Sequence, residues 1–525
     1  MQTFVRQHEQ RIHGVLSGFD RIRFRGTLRS ISFADGLGRY LNVLKVLLVA
    51  FKAFFDGTTR QLRRATECLA QTTAAGKVIY LSGTQDKQRV VEDLMRRYGM
   101  AESFHGLIAV LSCVENCRSF ELHKDAKAGK LRLQSAFRKC LHYYLYLRHP
   151  RFGMMYVRIM SWFPLQVQMG LNGREWLARQ LDAAGIRYQQ RDNSFAWVED
   201  FARAQQLLEE QQKTDWATTL SGLLREYHPE FVALLGRLQL RDYYWTAEQT
   251  EYATDVAFRS AAELAPLYRR LVRHAIDNLS SADVMRFLQQ RLTRSGTIHG
   301  GFRGEVVSDL KRRQEGTRVK HRLGLNSLKM YDKFGVVLRI ETTIQAAEGL
   351  KVYRPKENAS HPSWAWQALR RSVADLHRRC ELSRQANAAY LEALAVVEAP
   401  ETLGSLTAPV SRSLQQGSRR YRGLNLWSAT DRVLLQAINR GEFAIVGLRN
   451  RDLRELLFGT GTAKAAEKRR QSGQVTRRLQ LLRAHGLIRR VPKSHRYQVT
   501  TAGRKLASAL SYAEDSSLKT FSQTA

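Results

Sequence analysis

The sequence is short of acidic residues. Its 525 residues include 48 Asp and Glu against 84 Lys and Arg, a formal net charge of +36. A compact protein with this imbalance repels itself unless a polyanion neutralises it. Nucleic acid fits, because its phosphates bind Lys and Arg with release of counterions. An anionic membrane fits less well, because the basic residues are spread along the whole chain and not gathered in one amphipathic helix. A basic surface that serves only solubility is the other alternative.

Long apolar runs are also missing. The most apolar stretch, residues 40–55, is interrupted by Lys45 and Lys52 and is too short to span a bilayer. Residues 1–14 are polar and rich in His, Gln and Arg, unlike a signal peptide. We therefore expect a cytoplasmic protein with no membrane partner, associated with the nucleoid through DNA.

Cysteine is scarce, and its count of five is odd, so a disulfide framework is not expected. Some cysteines lie near histidines in the sequence, in the set Cys113, Cys117, His123, Cys140 and His142. This spacing matches no well-defined zinc pattern. We expect buried, inert thiols, with a zinc site as the alternative.

What the chain does have is enough apolar sequence, 44% of its residues, to build several cores. Residues 1–200 are predicted to form a mixed α/β domain, in which strands lead into helices. Residues 201–295 carry apolar residues at three- and four-residue spacing, which predicts a helical region. Residues 296–350 contain a predicted β-hairpin at 327–344 that completes this body. No internal repeat is evident.

The remaining chain is predicted to hold a helix at 363–398, a basic linker at 399–426 and a last domain at 427–512. The linker is rich in Pro, Gly, Ser and Arg, which suits a segment that lies along phosphate. The predicted fold class is thus an α/β (or α+β) N-terminal body with a helical middle region, followed by a separate C-terminal module.

The C-terminal module has the most specific pattern. Its predicted order is three helices, a strand, a basic turn, a strand and a final helix. With Val475-Thr476-Arg477-Arg478-Leu479, Gly486-Leu487-Ile488 and Tyr497-Gln498-Val499-Thr500, it resembles a MarR-like winged helix-turn-helix. The resemblance implies a helix that enters the DNA major groove, which is about 12 Å wide. RNA binding and protein contact are the alternatives for this module.

Basic residues cover the sides of this helix and of the wing that would meet DNA. The predicted DNA-binding residues are Arg469, Arg470, Arg477, Arg478 and Arg483 on the helix, and Lys493, His495 and Arg496 on the wing.

An aspartate stands out near the N-terminus, in the stretch GFDRIRFRGTLRS that begins at Gly18. If this stretch is a strand, Arg21, Arg23 and Arg25 share one face, where they are predicted to contact nucleic-acid phosphates. Asp20 shares the other face with apolar residues. A buried carboxylate is costly without a partner. Asp20 is therefore expected to pair with a cation, to bond to backbone donors or to hold a metal ion.

The metal interpretation needs a second carboxylate. Enzymes that cut or join phosphodiesters hold Mg²⁺ between acidic residues on neighbouring strands. Glu341, on a predicted strand next to Arg339, is the first choice for a site shared with Asp20, and Asp332 is a weaker one. The sequence thus predicts Asp20 and Glu341 as ligands of Mg²⁺.

A second resemblance lies in the same segment. Tyr331-Asp332-Lys333, followed by Leu338-Arg339-Ile340-Glu341, is similar to part of the rolling-circle replication initiators of phages and plasmids. The similarity implies metal-dependent DNA nicking through a tyrosine, with Tyr331 as the catalytic candidate and Tyr353 as a second. A core or stacking role is the alternative for each tyrosine. The His-hydrophobic-His metal motif of that family is missing here.

These observations predict a nucleic-acid-binding protein of the mobile-element type. DNA would be bound through the C-terminal module, with Mg²⁺-dependent strand cleavage or transfer in the body as a further hypothesis. A non-catalytic DNA-binding transcriptional regulator is the main alternative, and an RNA-binding ribonucleoprotein component is another. An oligomer is left open. The whole chain also resembles long bacterial proteins that end in a winged helix, from which no activity follows.

Overall fold

The protein was studied as a computed structural model. It describes residues 1–101, 103–124, 130–290, 302–313, 316–355, 364–397, 403–440, 443, 447–459, 465–491 and 494–515. The chain forms two compact units. The body unit consists of Val15–Asp255 and Thr343–Leu382. The terminal unit consists of Met1–Gly14, Val256–Thr342 and Ser383–Ala525. The fold is mixed α/β, with a large and mostly antiparallel sheet and many helices.

The α-helices of the described residues are α1 (Gln2–Gln7), α2 (Ala34–Val43), α3 (Phe51–Ala70), α4 (Lys87–Arg97), α5 (Gly173–Ala183), α6 (Phe201–Gln211), α7 (Trp216–Tyr227), α8 (Pro229–Arg237), α9 (Ala261–Asp277), α10 (Ser281–Phe287), α11 (Leu376–Leu394), α12 (Leu403–Ser411), α13 (Ala429–Asn439), α14 (Asn450–Phe458), α15 (Ala465–Ala484) and α16 (Thr501–Asp515).

The strands of the same residues are β1 (Ile12–Thr27), β2 (Ile79–Leu81), β3 (Gly106–Lys124), β4 (Leu131–His149), β5 (Gly153–Met160), β6 (Val167–Asn172), β7 (Tyr188–Arg191), β8 (Ser194–Val198), β9 (Tyr244–Phe258), β10 (Val306–Arg313), β11 (Gly316–Leu323), β12 (Asn326–Lys333), β13 (Val337–Ile344), β14 (Lys351–Pro355), β15 (Trp364–Ala368), β16 (Leu414–Gln416), β17 (Arg419–Tyr421), β18 (Ile488–Arg490) and β19 (Tyr497–Val499).

In the body unit, strand β1 is central. β1, β6, β5, β4 and β3 pair antiparallel in turn, β2 joins β3 in parallel, and β9 flanks β1 on its other side. Along β1 the side chains alternate as predicted. Ile22 and Phe24 are buried in the core, whereas Arg21 and Arg23 are exposed. The predicted strand around Asp20 is therefore confirmed.

Helices α5, α6, α7 and α8 supply much of the body core. Trp176, Leu177 and Leu181 of α5 are buried together, as their spacing predicted. Asn172 caps this helix, because its side-chain oxygen accepts hydrogen bonds from the backbone N–H groups of Arg174 (2.9 Å) and Glu175 (3.2 Å). The end of β6 and the start of α5 are thereby fixed beside β1.

In the terminal unit, strands β13, β12, β11 and β10 are neighbours in that order. The predicted hairpin is confirmed as β12 and β13. Its turn includes Phe334 (φ 52°) and Gly335 (φ 74°), a left-handed conformation that glycine adopts without strain. Elements α13 to α16, with the paired strands β18 and β19, share a separate hydrophobic core.

The prediction of a helical region at 201–295 is wrong at strand β9. Its burial alternates only over its first half, and every residue from Tyr252 to Phe258 is buried. A strand buried on both faces has no two-residue periodicity, and so the pattern could not reveal it.

Two further predictions needed correction. The helix predicted at 363–398 begins only at Leu376, because Trp364–Ala368 pairs with β14 as a strand. The segment predicted as a basic linker, 399–426, contains helix α12 and the paired strands β16 and β17. In both places, local strand pairing outweighed the composition on which the predictions rested.

Strands and helices follow one another in the same order in the two units, although the sequence shows no repeat. In the body unit, β1 is followed by helices α2 and α3, and the last strand of the β3–β6 series returns beside β1. In the terminal unit, the end of β9 is followed by helices α9 and α10. The last strand of the β10–β13 series then starts beside that end, where the Phe258 N–H bonds to the Val336 carbonyl (2.8 Å). The topology therefore recurs without a detectable sequence repeat.

The close approach of Gly173 to β1 makes a test of this packing. A Cβ atom on Gly173 would lie 2.0 Å from the backbone oxygen of Phe19, so Gly173→Ala must push α5 away from β1. We expect a loss of about 1–3 kcal/mol in the free energy of unfolding, measured in urea. The control is Gly222→Ala in α7, where nothing lies within 4 Å of the added methyl. This variant should be neutral or stabilised by up to about 1 kcal/mol. Equal stabilities for the two variants would contradict the close packing.

Candidate functional site

Three carboxylates meet at the strands around β1. Asp20, Glu251 and Glu341 each offer an oxygen atom, and these atoms all lie within 4.8 Å of one another. Asp20 is only 1% exposed and Glu341 only 3%, while Glu251 is half-buried. Carboxylates held so closely out of water favour a cation between them, and oxygen ligands suit hard divalent ions. This acidic triad could bind a metal ion.

Neighbouring polar side chains position the two buried carboxylates. The side-chain amide of Asn193, in the turn between β7 and β8, donates to Oδ2 of Asp20 (2.8 Å). The ammonium of Lys329 on β12 donates to Oε1 of Glu341 (2.5 Å). These hydrogen bonds orient the carboxylates, as outer partners of metal ligands commonly do. The hydrogen bond from Asn193 also offsets part of the free-energy cost of burying the Asp20 carboxylate.

The sequence predicted two of the three acids. Asp20 and Glu341 come together as proposed, whereas Glu251 was missed because it lies on β9, where a helix was predicted. Asp332, the weaker candidate, is not part of the triad. Burial raises the pKa of the Asp332 carboxyl, although a hydrogen bond from the Gly335 backbone opposes this.

The zinc alternative finds no support in the part of the chain that the structure describes. Among the described residues, the group whose ligand atoms lie close enough to share an ion is the acidic triad, which contains no Cys or His. All five cysteines are free thiols, and Cys113, Cys140 and Cys380 are buried. The expectation of buried thiols therefore holds for these three, whereas Cys68 is exposed and Cys117 is partly exposed.

The two tyrosine candidates lie in different surroundings. Tyr331 is buried on β12, opposite Arg318 of β11, and the Lys333 ammonium lies 5.8 Å from the centre of its ring. Tyr353 lies exposed on β14. Tyr331 is thus packed like a core residue, and its part as a nucleophile stays a prediction.

A cavity of about 470 Å³ opens beside the triad within the body unit. Its charged lining residues are Arg21, Arg23, Arg148, Glu92, Glu175, Asp192 and Glu251, and its amide lining residues include Asn193, Gln88 and Gln249. Two tyrosines, 146 and 156, also face it, and burial raises the pKa of both. The cavity therefore combines three arginines with four acidic and two aromatic residues. Its arginines are groups that can bind phosphate oxygens, and its acids are groups that can bind a cation.

Three other basic residues of the same unit, Lys87, Arg158 and Arg25, lie against acids. Glu115 accepts hydrogen bonds from the Tyr144 hydroxyl and from Arg158 (2.6 Å), and Lys87 lies 3.2 Å away. Burial opposes ionisation of Glu115, but these donors outweigh it and lower its pKa to about 2. Arg25, a predicted phosphate contact, forms an ion pair with Glu248.

The predicted DNA-binding residues of the C-terminal module fall on α15 and near β19. Arg469, Arg477 and Arg483 are exposed on α15. Arg470 is paired with Glu467 (3.0 Å), and the Arg478 guanidinium lies 5.6 Å from the Phe458 ring. His495 is exposed, whereas burial lowers the pKa of the half-buried Arg496. Lys493 lies outside the described residues.

Comparison of the chain with protein-family models, with curated proteins and with solved structures found no match in any of the three. Among the described helices, none combines the length and the apolar composition needed to cross a membrane.

Metal binding can be measured directly. We expect Asp20→Asn and Glu251→Gln to weaken Mn²⁺ binding by roughly tenfold or more in calorimetric titration, because each removes an anionic ligand; tenfold corresponds to about 1.4 kcal/mol. The control is Glu175→Gln, which lines the same cavity but is outside the triad. Its affinity for Mn²⁺ should match that of the unsubstituted protein. If all three variants bind Mn²⁺ equally well, the triad is not a metal site.

Proposed function

We propose that this chain is a DNA-binding protein of the mobile-element type that cleaves or transfers DNA strands with the help of Mg²⁺. The metal ion would be held by Asp20, Glu251 and Glu341. The observation that carries the proposal is the approach of these carboxylates to within 4.8 Å of one another, beside a cavity whose lining includes three arginines. Neither a purely structural ion pair nor a solvated basic surface requires that combination.

The chemistry follows from the charges. In hydrolysis, a water oxygen bonds to phosphorus, the bond from phosphorus to the leaving sugar oxygen breaks, and a proton from the water finally resides on that oxygen. A divalent ion favours this step by stabilising the attacking and leaving oxygens. Arg21, Arg23 and Arg148 would hold the phosphate oxygens as negative charge builds up on them. Asn193 and Lys329 would keep the carboxylates in place.

The C-terminal module is the part of the chain that would bind duplex DNA. Helices α13, α14 and α15, strands β18 and β19, and helix α16 follow one another along the chain and contribute to one core, which supports the proposal of a winged helix. Helix α15 would enter the major groove with its exposed arginines. His495 and Arg496, between β18 and β19, would contact the backbone as the wing.

Strand cleavage is the first test. With Mg²⁺, the protein should cut labelled single-stranded, duplex or nicked DNA, and Asp20→Asn or Glu341→Gln should reduce the rate by about 100-fold or more. The control is Asp332→Asn: burial already favours the neutral form of this carboxyl, so the amide should be tolerated. If the unsubstituted protein cuts none of the three substrates, cleavage is excluded and DNA binding remains to be judged separately.

Duplex binding is the second test, read by fluorescence anisotropy at several salt concentrations. Replacing Arg469 and Arg477 with alanine should lower the slope of log affinity against log salt by about one for each phosphate that the protein no longer neutralises. If an arginine reads a base instead, its removal should cost about 1–3 kcal/mol at the preferred sequence. The matched control is Arg237→Ala, on an exposed position of α8 in the body unit. An unchanged affinity and slope in the double variant would contradict the proposed role of α15.

One observation favours a second candidate, a non-catalytic DNA-binding regulator. The bonds from Asn193 to Asp20 and from Lys329 to Glu341 are also what a purely structural polar network needs. A regulator would bind duplex DNA with the same affinity whether or not Mg²⁺ is present, and would cut no substrate. The cleavage test and the metal titration together separate the two candidates.

A further inference from the structure

A small two-stranded ribbon in the body unit exposes aromatic side chains and buries an arginine. Strands β14 and β15 pair with each other as a separate two-stranded sheet. Val352 and Arg354 of β14 are buried, with Val352 in a cluster that includes Leu350 and Leu369. The aromatic residues of the ribbon are on its outside: Tyr353 is 54% exposed, Trp364 56% and Trp366 68%.

The three rings form one continuous platform. Tyr353 is directly opposite Trp366 in the strand pairing, and their ring centres are 5.8 Å apart. Trp364 stacks on the same tyrosine, with 5.6 Å between centres and 29° between planes. A single exposed aromatic residue needs no explanation, but three that are exposed and in contact mark an interaction surface.

The charge around the platform indicates what it binds. Lys351 is exposed on the ribbon, two residues from Tyr353. The other nearby cations are engaged, because Arg354 is buried, Arg370 pairs with Asp375 (2.8 Å) and Arg371 pairs with Glu348. The net charge of +36 favours an acidic partner, and Lys351 beside the rings fits one. Every nucleobase has a flat π-face, and its phosphate is attracted by nearby cations. Bases within a duplex are already stacked on one another, so an aromatic platform selects unpaired ones.

We infer that the ribbon binds single-stranded nucleic acid, with unpaired bases stacked on Tyr353, Trp364 and Trp366. The inference rests on the proposed nucleic-acid partner, and it is independent of the metal site and of the C-terminal module. It deepens the proposal by naming the form of nucleic acid that this part of the chain takes. A protein that works on DNA strands gains from holding the unpaired strand apart from the duplex.

The experiment compares two ligands on the full chain: a 12-nucleotide oligo-dT and a DNA hairpin duplex. Oligo-dT should quench tryptophan fluorescence and raise the anisotropy of a labelled strand. The double variant Trp364→Ala/Trp366→Ala should bind oligo-dT about tenfold or more weakly, because stacking is removed, and bind the duplex normally. Trp366→Phe, which keeps an aromatic ring, should retain most of the affinity.

Two controls sharpen the result. Trp427→Ala removes a tryptophan that is 75% exposed elsewhere in the chain, and it should leave oligo-dT affinity unchanged. Circular dichroism should show that each variant is folded, as expected for exposed side chains. The affinity ratio of unsubstituted protein to double variant should also persist at high salt, since stacking is not screened as phosphate binding is.

The outcomes distinguish a failure of this inference alone from a failure of the proposed function. If the protein binds duplex but not oligo-dT, or if the double variant binds oligo-dT like the unsubstituted protein, the inference is overturned and the proposed function stands. If neither ligand binds at low salt, the nucleic-acid partner is excluded, and the inference fails with it. If the platform binds another protein instead, the double variant should bind oligo-dT as well as the unsubstituted protein does.

Discussion

The electrostatic cost of burying charge is the constraint on which the rest of this structure depends. Asp20 is inside the sheet, and Asn193 donates a hydrogen bond to it. In the same unit, the fully buried Arg174 forms an ion pair with Asp255 at 3.0 Å. Charges in such a setting persist only when the surrounding groups replace the water they have given up. The sheet around β1 is therefore organised by its polar side chains as much as by its apolar ones.

Two segments with a clear strand pattern were predicted correctly. The alternation around Asp20 predicted β1, and the segment from Ser327 to Ile344 predicted the hairpin of β12 and β13. Glu341 could be named because it lies on that hairpin. β9 has no such period, since both of its faces are buried along much of its length. Glu251 was missed together with that strand.

Asn193 illustrates a different limit. It is in a short turn more than 170 residues after Asp20, and nothing in its local sequence distinguishes it from any other turn asparagine. Its role depends on tertiary folding, which local patterns do not encode. The same is true of the exposed platform on β14 and β15. Trp364 and Trp366 were predicted to begin a helix, on which they would not have faced Tyr353 across a strand pair. The recurring order of strands likewise became visible only from the pairing.

The order of the strands along the chain has a consequence for folding during synthesis. β1 ends at Thr27, yet its antiparallel partner β6 does not begin until Val167. At the usual pace of synthesis, roughly 7 to 28 seconds pass between the synthesis of the first strand and that of this partner. An unpaired edge left open for so long invites association with other chains, and charged side chains are a known protection against it. Arg21, Arg23 and Arg25 would thus protect the nascent chain from aggregation before they bind any ligand.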